Sequence, residues 1–167
     1  MKKKKTFFTF IILFMIFGLC GCAINTDGNT LYGFTQRMNE KSKSYQMTTA
    51  GYIYNKNDST LTKYYIFDKV NIMLSFNVDK NNELSTLNIV FDNLTESNTN
   101  EIEFIKNSIG CYCNNSEISG PLLDEVNFPQ VLFRKEINTT KSKIGNTEIL
   151  IDVTDIGCVI TVVQNTL

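Results

Sequence analysis

The chain has no histidine, no tryptophan and only two prolines. Without histidine there is no Ser-His-Asp or Cys-His arrangement, and the commonest general base near neutral pH is missing too. Ser-x-x-Lys, Gly-x-Ser-x-Gly, Cys-x-x-Cys and glycine-rich phosphate loops are also absent, which removes the familiar acyl-transfer, thiol-redox and nucleotide-binding signatures. The loop Asp79-Lys80-Asn81-Asn82-Glu83 opens like a calcium loop, with oxygen ligands at alternate positions. Leu84 and Val90 then stand where such a loop needs glycine and glutamate, so the segment reads as a polar hairpin. The expectation is a protein that is not an enzyme and carries no metal or cofactor.

What is present begins with a leader. Met1 to Lys5 is a basic run, and Thr6 to Leu19 is an almost unbroken apolar stretch, the order of a secretory signal. Crossing the hydrocarbon core takes roughly 20 apolar residues, and this stretch meets glycine and cysteine sooner, which favours a cleavable signal over a permanent span. The segment ends Leu19-Cys20-Gly21-Cys22. It resembles the lipobox of bacterial lipoproteins, with an aliphatic residue three places before the cysteine and a small one directly before it. Cys22 fits this pattern, whereas Cys20 would be preceded by bulky Leu19. The resemblance covers residues 1–22 only. It implies a signal peptide over 1–21, lipidation of Cys22, and residence at the cell membrane on its extracytoplasmic face. Two or three acyl chains, at about 0.8 kcal/mol per buried methylene, make a firm anchor.

Residues 22–29 then form a small, polar, lipidated tether reaching roughly 20 Å at most. Residues 30–167 are left as one domain of ordinary size. With the four leader lysines gone, 12 basic residues face 17 acidic ones, a net charge of about −5. Such a surface is not drawn to nucleic acid or anionic lipid. Asparagine is abundant, as an AT-rich genome would encode, and the acceptor-like tripeptides at Asn57, Asn93, Asn114 and Asn138 are coincidences of that composition.

Periodicity gives the elements. Asn29-Thr30 caps a helix with Leu31, Phe34 and Met38 on one face, ending by Ser44. From Tyr45 the period becomes two, with a second strand over Thr60 to Phe67. Ile72, Leu74, Phe76 and Val78 alternate with polar residues, as do Leu87, Ile89 and Phe91, giving a hairpin with one core face. Ile102, Ile105, Ile109 and Cys113 predict a helix over about 100–113. Ser119-Gly120-Pro121 predicts a break, followed by a short helix over Leu122 to Asn127 that Pro129 stops. Strands follow at about Leu132 to Lys141, Glu148 to Val153 and Gly157 to Gln164. The fold class is α+β: an antiparallel β-meander sheet with one N-terminal and one or two central helices packed on it. In outline it is similar to two-layer envelope binding domains, a likeness that implies no function by itself.

Cys111, Cys113 and Cys158 remain in a compartment where disulfides persist. The spacing puts Cys113 on the core side of its helix and Cys111 on the outer side. A Cys113–Cys158 disulfide is therefore the sharp expectation, with Cys111 free. Against it stand a Cys111–Cys158 pair and plain burial of reduced thiols. A zinc site at Cys111-Tyr112-Cys113 would need carboxylates to complete it. Asp152 and Asp155 are read as flanking a turn rather than as an acid/base pair. Tyr52, Tyr54, Tyr64 and Tyr65 crowd the first two strands, either as a binding face for a glycan or peptide or as ordinary cross-strand pairs. Together these features point to a cell-surface lipoprotein acting as a non-catalytic binding or interaction module. Its partners would be the membrane, through the lipid, and an envelope protein or glycan. The alternative is a structural or accessory subunit of a membrane complex or transporter.

Overall fold

The computed structural model describes residues 29–42, 46–47, 51–55, 60–67, 71–78, 83–133 and 137–164. The leader, Cys22 and the tether up to residue 28 lie outside the described residues.

Thr30 caps helix α1 (Leu31–Lys41), its hydroxyl accepting from Gly33 N. Four strands follow: β1 (Gly51–Asn55), β2 (Thr60–Phe67), β3 (Ile72–Val78) and β4 (Leu84–Phe91). Next come α2 (Thr99–Cys113), α3 (Ser116–Glu125) and a 3₁₀ turn over Gln130–Phe133. The last three strands are β5 (Asn138–Ile144), β6 (Thr147–Val153) and β7 (Cys158–Gln164). The described residues form one antiparallel sheet of order β1-β2-β3-β4-β7-β6-β5. Two meanders meet in its middle, where β4 pairs with β7 in the register Phe91↔Cys158 to Thr86↔Val163. The α+β class and the meander expected from the periodicity are what the chain adopts.

All the helices described lie on one face, because β3, β4, β6 and β7 each send an alternate, largely apolar set of side chains that way. The core runs across the sheet through Phe67, Ile72, Phe91, Cys158 and Val153, with parallel rows behind it through Leu74, Ile89, Ile160 and Ile151. Phe34 of α1 stacks edge-on against Phe76 at 4.8 Å, and Phe104 of α2 against Phe67 at 4.8 Å.

Three local expectations are corrected. Helix α3 runs straight through Ser119-Gly120-Pro121 instead of starting after it. The Asn115 side chain caps it by accepting from Glu117 N at 2.9 Å, and burial of Leu122 and Leu123 offsets the hydrogen bond that proline removes. Residues 130–133 are a 3₁₀ turn rather than the start of a strand, and β5 begins only at Asn138. Cys111 is buried rather than outward, because α1 covers that side of α2: Arg37 Nε donates to the Cys111 carbonyl at 3.0 Å.

Candidate functional site

The second face of the sheet carries no helix, and its side chains divide along the strand direction. Over most of its length it is mainly polar, with Leu150 and Val163 as apolar members, and it carries several cross-strand pairs. Thr62 donates to Asn77 Oδ1 at 3.1 Å, Thr161 to Asn88 Oδ1 at 2.9 Å and Thr139 to Asp152 Oδ1 at 2.6 Å. Lys141 and Glu148 form an ion pair at 2.7 Å near the β5 edge. At one end the row is apolar instead: register places Ile66, Met73, Val90 and Val159 side by side on β2, β3, β4 and β7. Ile66 is 63% exposed.

The turn between β6 and β7 bounds this row. Thr154 builds it by donating its hydroxyl to the Gly157 carbonyl at 2.8 Å and accepting from Gly157 N at 3.1 Å. Gly157 is required there: a Cβ would lie 2.7 Å from the Phe91 carbonyl oxygen. The turn holds Ile156 out into solvent at 83% exposure, although an isolated strand reading would have put it on the core face with Cys158 and Ile160. Asn93 Nδ2 ties the turn to the end of β4 through the Asp155 carbonyl at 3.1 Å.

Two clefts flank this turn and share Thr154. The first, about 610 Å³, has the apolar row and Ile156 as walls and Asn71 and Asp92 at the rim. The second, about 550 Å³, has Leu94, Leu132 and Phe133 as its floor, and Glu96 and Asp155 on its edge. Both volumes fall in the range of ligand sites, and the lining has the usual character, mostly apolar with a few polar groups. Asn71, held at φ 49, donates to Asp92 Oδ2 at 3.3 Å. Sequence reading missed this site because its members come from five separate segments. The available signal was that Met73 and Val90 are apolar on faces where their neighbours Ser75 and Asn88 are polar.

The aromatic face expected from Tyr52, Tyr54, Tyr64 and Tyr65 is not one surface. Consecutive residues of a strand point to opposite sides. Tyr65 is buried against Phe76, with ring centroids at 6.1 Å. Tyr64 is on the open face, its ring lying over Gly51 of the neighbouring strand. Tyr52 pairs in register with Lys63 and Tyr54 with Leu61; their side chains lie outside the described residues.

The expected Cys113–Cys158 disulfide is also corrected, since Cys111, Cys113 and Cys158 are all free and buried. The carbonyl of Cys113 accepts from the Gln164 side chain, at the far end of β7 from Cys158. Six residues of strand, roughly 20 Å, separate the two positions, while a disulfide needs Cα atoms within about 7 Å. Burial pushes Cys113 and Cys158 up to about 12, with Asp152 adding to the rise at Cys158. Cys111 is raised by burial as well, against the opposing pull of Lys41 and Arg37. Burial of this kind disfavours the thiolate that a nucleophilic cysteine needs. Among the described residues no three of Cys, Asp or Glu are grouped to hold a metal ion. Asp152 bonds to Thr139, and Asp155 sits on the turn beyond the end of β6.

The chain enters the described fold at the opposite end of the sheet. Asn29 accepts from Leu84 N at 2.8 Å and donates through Nδ2 to the Leu84 carbonyl at 3.0 Å and to Gln164 Oε1. From Leu84 to Phe91 is the length of β4, so entry point and clefts lie roughly 20 Å apart, on opposite poles. Among the described residues no helix is long and apolar enough to cross a membrane. No protein-family model, curated protein or solved structure matches the chain.

Proposed function

We propose that the chain is an extracytoplasmic lipoprotein whose Cys22 carries the lipid and whose domain is a non-catalytic binding module, meeting its partner through the two clefts at the Thr154–Gly157 turn. The observation that carries the reading is the apolar row of exposed Ile66 and half-buried Met73, Val90 and Val159, with exposed Ile156 raised beside it, on a face that is elsewhere mainly polar. Apolar surface gathered at one place has a free-energy cost in water, and where it is rimmed by polar groups it commonly marks a recognition site. Polarity supports the same reading. A tether joining at Asn29 leaves the clefts on the pole away from the anchor, open to a partner in the envelope.

Two measurements test the halves separately. Cys22→Ala should move the protein from the membrane fraction to the soluble one; unchanged membrane association would remove the lipid anchor. A photo-reactive phenylalanine at position 156 should give a discrete crosslinked adduct in intact cells, and the same group at Lys143, on the opposite end of the open face, should not. Equal or absent adducts at both positions would sink the cleft reading.

A further inference from the structure

We infer that the occupant of the clefts is a cationic peptide segment with alternating aliphatic side chains; this rests on the cleft reading and goes beyond it by naming the ligand chemistry. Charge carries the first part. Asp92, Glu96 and Asp155 rim the two clefts, and among the described residues that line them none is lysine or arginine. The residues after Cys22 hold 12 basic and 17 acidic side chains, so this rim shares the sign of the whole domain. An anionic ligand would meet repulsion at short and long range, and a cationic one attraction that screens with salt over about 8 to 10 Å.

Shape carries the second part. A small organic cation would fill a single cleft. Here two apolar basins of similar size, about 610 and 550 Å³, stand on either side of one narrow turn. An extended chain crossing that turn can seat aliphatic side chains of one of its faces in the two basins, while the long, flexible lysine or arginine side chains of its other face bend around its edges to the carboxylate rim. Pockets that take alternate side chains of an extended segment are a recurrent source of specificity in peptide capture.

The test uses the full-length protein in phosphatidylcholine vesicles, with protein-free vesicles as baseline. The probe is a fluorescein-labelled heptapeptide of alternating lysine and leucine, followed by anisotropy. Two control peptides have glutamate in place of lysine, or serine in place of leucine. The alternating lysine-leucine peptide should bind at least tenfold more tightly than either control. Its affinity should fall about tenfold between 50 and 500 mM salt. It should also fall at least fivefold in Asp92→Asn/Asp155→Asn and again in Ile156→Ser, all three positions being exposed and tolerant. Equal binding of the lysine and glutamate peptides, both lost in Ile156→Ser, would keep the clefts as a site but overturn the cationic occupant. Binding that neither variant changes would also overturn it, as would no binding above the serine control; adduct formation at position 156 then decides the cleft reading separately.

Discussion

Asparagine is where residue chemistry shows most directly. The described residues with positive φ other than glycine are Asn71, Asn114 and Asn127, and asparagine tolerates that region because its short amide can bond locally. The composition that makes acceptor-like tripeptides a coincidence thus also supplies turns, one of them at the cleft rim. The cysteines are a second residue-scale case. Buried Cys113 and Cys158 keep their protons in the folded state while the unfolded chain releases them near the ordinary value of 9.0. Their contribution is therefore complete below about pH 9 and declines as pH rises toward 12, at about 1.4 kcal/mol per unit for each thiol. Urea unfolding of the native protein and of Cys113→Ala/Cys158→Ala should show a stability gap that narrows by more than about 1 kcal/mol between pH 9 and 10.5. A constant gap would contradict the buried reduced thiols. The burial of Cys113 and Cys158 was legible in the sequence, but not their separation, because periodicity says which side a residue faces and nothing about where along a strand it lands; the burial of Cys111 depends on α1 covering that side of α2.

At the scale of elements, periodicity located the core faces of α2, β3 and β4, since burial on one side enforces a period that composition alone cannot imitate. It failed at α3. Gly120 and Pro121 are strong local breakers, worth about 1 and 3 kcal/mol in a helix interior, yet the helix persists because its start is capped and its far half is packed. If that account is right, the cap matters more than usual. Asn115→Ala should destabilise the protein by about 1 kcal/mol and lower the protection of the amides over 116–120 from hydrogen exchange, leaving those of α2 unchanged. Loss of protection in both helices would mean that the two open as one unit. The 3₁₀ turn at Gln130–Phe133 was similarly hidden: Leu132 and Phe133 read as the start of a strand, and only their place in the second cleft shows the different use.

At the scale of the molecule, the sheet has one covered face and one bare one, and the two respond differently to the loss of a side chain. Phe76 is fully buried between Phe34 and Tyr65, so Phe76→Ala should cost about 3 to 5 kcal/mol. Met73 lies three residues away on the open face, and Met73→Ala should cost less than about 1 kcal/mol. Chemical denaturation of the two variants checks this, and similar losses would mean that the open face is covered by something in the folded protein.

Legible along the chain were the expectation of a lipid-bearing leader, the α+β class, the alternation that builds the core and the lack of familiar catalytic constellations. These are local properties: a basic-apolar-small order, a period of two or 3.6, the presence or absence of a residue type. The folded arrangement alone puts Tyr64 and Tyr65 to use on opposite faces, sets Cys113 and Cys158 at opposite ends of β7, and brings Ile66, Met73, Val90, Val159 and Ile156 together beside a turn. Those outcomes depend on strand order and register, which arise when β7 returns to pair with β4, a contact between segments more than 60 residues apart. No local pattern encodes such a pairing; burial of both meanders beneath a shared layer of helices selects it.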